Sequence, residues 1–355
     1  MKQLTIMDKG FLLAESREVP MHVGGVALYT VPEGVDTAEF LHGMADNLRD
    51  ATEFLPPFGD RLKTGRLGLA GPTYWEPDPS LDLDYHIRHS ALPQPGRYRE
   101  LFTLVSRLHA TLLDRNRPLW EMHLIEGLPN RQFAAYTKTH HAAVDGARSV
   151  HIARSMLSAD PDHRLPDSPL SLDSWKRYRA GLKRGGAGAP SDGQLRNVVE
   201  ALKASYDSGA QLYGVARRIT RAWTGDDNLL LPFLKVPTSS LNTSVDGARR
   251  FVAQSWPFDR IKTVAKAFDG TFNDAVLAMC GGALRTYLQN HAELPEESLK
   301  AMVPVSVRAE GDVDSSNAVA AINADLGTNI QDPSRRFAAI RESTLAGKSL
   351  YADLS

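Results

Sequence analysis

The chain has 355 residues, 42% of them apolar and 23% charged, with a formal net charge of −1. That composition fits a globular protein of one large or two ordinary domains, and its balanced charge argues against nucleic acid as a partner. The lone Cys280 cannot form an internal disulfide and suggests a reducing, cytoplasmic setting. No apolar stretch of signal length follows Met1 and no run approaches 18 apolar residues, so membrane contact is expected to be peripheral.

Residues 1–160 read as alternating strands and helices. A β-rich run over 21–30 ends at Val31-Pro32-Glu33-Gly34, and 37–48 carries Phe40, Leu41, Met44 and Leu48 at helical spacing. After the break at Pro95-Gly96, residues 101–113 place Leu101, Leu104, Val105, Leu108 and Leu112 on one stripe. Two strands, 119–125 and 132–139, flank Gly127-Leu128-Pro129-Asn130 and predict a hairpin that leads into His140-His141. A helix follows over 146–157. Residues 161–193 are rich in proline, glycine and basic side chains and read as a mobile linker, with a long amphipathic crossover helix over 194–223. From Phe251 the spacing predicts a strand, helices over 259–267 and 274–290, a strand over 301–307 and a helix over 333–346. The organisation is therefore α/β: a half over 1–160, a basic linker and crossover helix over 161–245, and a second half over 246–355.

The sharpest chemical signal is His140-His141-Ala142-Ala143-Val144-Asp145-Gly146. Adjacent histidines are unremarkable in a chain with eleven of them, but the added Asp and Gly bring the chance expectation down to about 0.002. A structural reading makes this a helix entry with satisfied histidines and Asp145 as cap. The chemical reading is acyl transfer. An alcohol attacking a thioester must lose its proton, and a histidine with a pKa near about 6.5 can take it and return it to the leaving thiolate. Asp145 then sits where a helix N-terminus favours a carboxylate, and Gly146 lets the turn close.

The motif resembles the signature of the bacterial wax ester synthase/diacylglycerol acyltransferase family, within the CoA-dependent acyltransferases related to chloramphenicol acetyltransferase. Further matching stretches are Pro20-Met21-His22-Val23-Gly24, Pro118-Leu119-Trp120-Glu121, Asn273-Asp274-Ala275-Val276-Leu277-Ala278 and Pro304-Val305-Ser306-Val307-Arg308. The resemblance implies two chloramphenicol-acetyltransferase-like halves with mixed sheets and an active-site tunnel between them. It implies acyl-CoA as substrate, no bound cofactor or metal, and a long-chain alcohol or diacylglycerol as acceptor, met at the inner membrane face or at lipid inclusions. By motif position His141 resembles the general base, Asp145 a residue that orders the site, and His140 a packing or hydrogen-bonding neighbour. Asn273 reads either as a helix N-cap or as an oxyanion donor beside Asp274. Pro118, Leu119 and Trp120 read as core and as acyl-channel wall, Gly146 as the turn, and Arg308 as a plain surface charge or, preferably, a structural ion pair. Two rivals stand: the same fold acting on a soluble or carrier-bound acceptor, and a non-catalytic lipid-binding relative.

Other patterns carry less. Gly347-Lys348-Ser349 has Glu342 where a phosphate loop needs glycine, and no Gly-x-Ser-x-Gly elbow occurs. His86, His89, His109 and His123 lack metal-ligand spacing. The run from Lys176 to Arg184 reads as a solvated segment, or as an attraction to anionic lipid. After Arg308 the match loosens, at Ser315-Ser316-Asn317 and Asp325-Leu326-Gly327. Relatives run on beyond the equivalent of Ser355, so a missing C-terminal segment is expected to complete the second sheet, and 1–355 alone is expected to be weakly active.

Overall fold

The computed structural model describes residues 1–144, 146–160, 165–184, 236–306 and 319–352. They form two compact units. The first takes in the described residues up to 184 together with 245–253; the second holds 236–244, 254–306 and 319–352.

The first unit is organised by a four-stranded mixed sheet. Strands β2 (His22–Thr30), β7 (Gln132–His140), β6 (Trp120–Glu126) and β5 (Ile87–Ala91) lie in the order β2-β7-β6-β5. The β6–β7 hairpin is antiparallel, as the sequence predicts, and β5 joins β6 in parallel. Period-two alternation divides the side chains between two faces. Trp120, Met122, Leu124 and Phe133 enter the main core with Leu41, Ala45 and Leu48 of helix α2 (Thr37–Arg49). Ile125, Ala134 and Tyr136 pack with Leu101 and Val105 of helix α4 (Tyr98–Ala110). A second antiparallel sheet, ordered β1-β4-β3, pairs Lys2–Gln3, Gly68–Pro77 and Asp60–Gly65. Between β1 and β2 runs helix α1 (Ile6–Ala14), where Thr5 and Asp8 form a capping box. Helix α3 (Leu83–His86) precedes β5, and α5 (Gly146–Ser155) follows the histidine motif.

Two expectations are corrected. The basic segment read as a mobile linker contains helix α6 (Leu172–Arg184), whose Trp175 is buried in the main core and stacks on Tyr178. Arg177 pairs with Asp167 and Lys176 with Asp173. An apolar stripe at Leu172, Trp175 and Tyr178 is enough to dock a helix whose other positions are charged. The strand expected from Phe251 is absent: the segment lies against α4, where its N–H donates to Ser106 Oγ (2.7 Å) and its ring meets Phe102 edge-on. The expected crossover helix over 194–223 lies outside the described residues.

In the second unit, helix α7 (Phe258–Ala267) and helix α8 (Phe272–Asn290) precede the antiparallel pair β8 (Lys300–Ser306) and β9 (Val319–Asp325), and helix α9 (Pro333–Ala352) follows. Two small clusters form its core: Ala265, Ala275 and Phe337, and Leu288, Leu299 and Leu326. Gly281 lets α8 approach the chain just beyond β9 closely, since a Cβ there would lie 2.2 Å from the Leu326 carbonyl oxygen. Among the described residues no helix is long and apolar enough to cross a membrane.

Candidate active site

His140 is the last residue of β7 and His141 the first beyond it. The backbone there is held from both sides. The His140 N–H donates to the Leu119 carbonyl (3.0 Å) and the His141 N–H to the Met21 carbonyl (2.8 Å). The chain then turns tightly, with Ala143 N–H returning to the His140 carbonyl at 2.9 Å. Ala142, Ala143 and Val144 are buried beneath that turn. The His141 ring is half-buried and stacked on Phe11 of α1, with centroids 5.0 Å apart and planes 16° from parallel.

His140 faces inward and is fully buried. Its Nδ1 accepts the Ala142 N–H (3.0 Å), so the neutral ring carries its proton on Nε2. That Nε2 lies 3.3 Å from Oε1 of Glu15, an ion-pair distance off the line of a strong hydrogen bond. Oε1 also accepts the Met21 N–H (3.2 Å), and Oε2 accepts from Arg115 Nε (3.2 Å) and Nη2 (2.9 Å). Burial pushes the Glu15 carboxyl up, but His140, Arg115 and the Met21 amide together outweigh it and hold it at about 2. Glu15 is therefore an anion at any working pH.

A second buried polar group lies beneath the same end of the sheet. Lys138 Nζ donates to the carbonyls of Leu108 (3.0 Å) and Thr111 (2.9 Å), closing the C-terminus of α4, and lies 3.5 Å from Glu121 Oε2. His123 Nε2 approaches the same oxygen at 3.3 Å. Burial pulls the Lys138 ammonium below the usual lysine range. It opposes ionisation of Glu121 too, yet His123, Lys138 and Arg88 still hold that carboxyl below its ordinary value. Tyr136 and His109 are joined at 2.9 Å, and Gly24 makes room for them: a Cβ there would meet the Tyr136 ring at 2.9 Å. His22 pairs in register with His140 and its Nε2 donates to the His109 carbonyl (2.7 Å). Burial lowers its pKa to about 4, so it stays neutral at pH 7.

Pro118, Leu119 and Trp120 act as scaffold. Leu119 supplies the carbonyl that receives the His140 N–H, and the Trp120 indole N–H donates to the Phe58 carbonyl (2.9 Å). The Trp120 ring stacks on buried His86 (4.6 Å), whose Nδ1 in turn donates to the Trp120 carbonyl (2.8 Å). Trp120 is thus a core residue.

The Asn-Asp pair lies in the second unit and corrects one expectation. The N-cap of α8 is Thr271, not Asn273: its hydroxyl oxygen accepts the Asp274 N–H (3.2 Å), and Asp274 Oδ2 accepts the Thr271 N–H (2.8 Å). Asn273 is exposed in the first turn. Buried Asp274 also accepts from Thr344 Oγ1 (2.8 Å), tying the start of α8 to α9. Asp274→Ala should cost about 1–3 kcal/mol in chemical unfolding, because it strands buried donors. Asn273→Ala caps nothing and should stay within about 0.5 kcal/mol of the parent. An equal loss of stability in both would contradict the cap assignment. Asp145 and Arg308 lie outside the described residues, and Gly146 opens α5. Among the described residues no group of three or more His, Cys, Asp or Glu is placed to hold a metal.

Comparison with solved structures defines the class. The first condensation domain of the CDA synthetase matches with a TM-score of 0.54 at 16% identity, over 98% of this chain and 74% of that one. The fold is therefore the α/β fold of condensation domains and chloramphenicol-acetyltransferase-like enzymes. The wax ester synthase/diacylglycerol acyltransferase from Marinobacter aquaeolei VT8 matches with a TM-score of 0.69 at 36% identity, over 98% of this chain and 72% of that one. Residues 4–276 match the wax ester synthase/diacylglycerol acyltransferase catalytic domain. A probable diacylglycerol O-acyltransferase of Mycobacterium tuberculosis is 43% identical over 348 residues, covering 98% of this chain and 74% of that protein. An O-acyltransferase of Acinetobacter baylyi is 36% identical over 352 residues, covering 99% and 73%. The chain belongs to the wax ester synthase/diacylglycerol acyltransferase family.

Proposed function

We propose that this chain transfers a fatty acyl group from acyl-CoA to a long-chain alcohol or diacylglycerol, with His141 as general base. The supporting observation is the placement of His141. Its N–H is held by the Met21 carbonyl just before β2 and its ring is stacked on Phe11, at the end of a central strand of the sheet. A base must be positioned before its pKa matters, and rigid neighbours supply that position.

In this reading the acceptor hydroxyl attacks the thioester carbonyl carbon while His141 takes its proton. The carbonyl oxygen becomes an oxyanion, for which Asn273 is the candidate donor. Collapse breaks the C–S bond, and the proton held on His141 passes to the departing thiolate. The products are an ester and free CoA, with no covalent enzyme intermediate. Asp145 is assigned to ordering the site, as its motif position implies, and Arg308 to a structural ion pair. The acceptors are themselves membrane or lipid-inclusion components, so the enzyme would meet them peripherally at such a surface.

The test is thiol release from a long-chain acyl-CoA, measured with no acceptor, with a fatty alcohol and with a diacylglycerol, and with the lipid product identified. Release should depend on the lipid alcohol and match the ester formed. Release at the same rate without an acceptor, or with only a soluble acceptor, would overturn the reading.

A further inference from the structure

Glu15 belongs to none of the motifs, yet it touches every segment that carries the base. It caps the C-terminus of α1, one helical turn after Phe11, and it is reached by Arg115 from a hundred residues away. Its Oε1 holds the N–H of Met21, the residue whose carbonyl holds the His141 N–H. The same oxygen faces the Nε2 of His140.

We infer that Glu15 is a positioning residue for the base, a carboxylate that fixes the turn and the His140 ring orientation on which His141 is carried. The inference rests on the reading of His141 given above. Its core is a count of donors. The Met21 N–H and two Arg115 N–H groups donate to Glu15, the His140 Nε2–H lies 3.3 Å from its Oε1, and none of the four can accept. A carboxylate offers acceptors on both oxygens, which suits four donors. A glutamine of the same shape offers one oxygen and adds an NH2, so either Arg115 or the Met21–His140 side must face another donor. The requirement is for acceptors matched to the donors around them rather than for volume.

This chemistry predicts a second-site rescue. Arg115 also donates to the Leu12 carbonyl (2.7 Å). If Arg115 is replaced by methionine, a glutamine at 15 can turn its oxygen toward Met21 and His140 and its NH2 toward the vacated Leu12 carbonyl.

The experiment measures kcat and KM for acyl-CoA and alcohol in Glu15→Gln, Glu15→Gln/Arg115→Met and, in parallel, His141→Ala. Glu15→Gln should lose about 10–10² in kcat with KM within about twofold, because a base displaced by about 1 Å costs up to 10²-fold. The double variant should regain about tenfold of that loss despite carrying one more substitution, also where Glu15→Gln itself does not fold. Glu15→Gln within twofold of the parent kcat overturns the inference, provided His141→Ala is inactive. So does a folded double variant with the same kcat loss as Glu15→Gln, which contradicts the donor count, or failure of both to fold, which assigns Glu15 to folding alone. An active His141→Ala would instead remove the base assignment itself.

Discussion

His141→Ala is expected to lower kcat by about 10²–10⁴, the usual contribution of a general base, in a protein that still folds. Folding should survive because the side chain is only half-buried, and the loss of its stacking on the Phe11 ring is worth about 0.5–1.5 kcal/mol. His140→Ala should behave differently. It removes the buried acceptor of the Ala142 N–H and the partner of Glu15 Oε1, so its effect should appear first as a lowered Tm. Thermal melts and steady-state kinetics on the two variants separate these roles. Normal turnover in folded His141→Ala, at any Tm, would remove the residue from the mechanism.

The parts of this site that were legible in the sequence are those encoded locally. The β6–β7 hairpin shows in the alternation around Gly127, and it delivers His140 to the end of a buried strand. The histidine motif is contiguous and rare, so it could be found without a fold. Glu15, Arg115 and Lys138 were not legible, because each acts through partners distant in sequence. Arg115 lies 100 residues from Glu15, and Lys138 lies 30 from Leu108. Helix α1 does not stand out in the sequence although Thr5 and Asp8 form a capping pair, since nine residues give little periodicity. Helix α6 is obscured by composition: its basic residues and flanking glycines look like solvated chain, while Leu172, Trp175 and Tyr178 decide that it docks. At Asn273 the correct capping signal stood two residues earlier, in Thr271 with Asp274.

Lys138→Met should destabilise the first unit by about 3–5 kcal/mol at pH 7, because it leaves the buried Glu121 carboxylate without its main cation. It also frees the two carbonyls at the end of α4, Leu108 and Thr111, to which the ammonium donates. The pH dependence identifies the cause. In the parent, Glu121 is held below its ordinary value of 4.5, so its contribution to stability is present above that pH and is lost as pH falls through the lowered pKa. Without Lys138, burial, the largest influence on Glu121, dominates, and its pKa should move above 4.5. The sign then reverses. Ionised Glu121 costs stability at pH 7, and that cost vanishes once the pH drops below the unfolded-state value. Lys138→Met/Glu121→Gln has no carboxylate to strand, so it should be more stable than Lys138→Met at pH 7. Urea unfolding of the two variants should show that gap closing by about pH 4. A gap that stays constant from pH 7 to 4 would mean that Lys138 supports the fold through the α4 carbonyls alone, and that Glu121 is already balanced by His123 and Arg88.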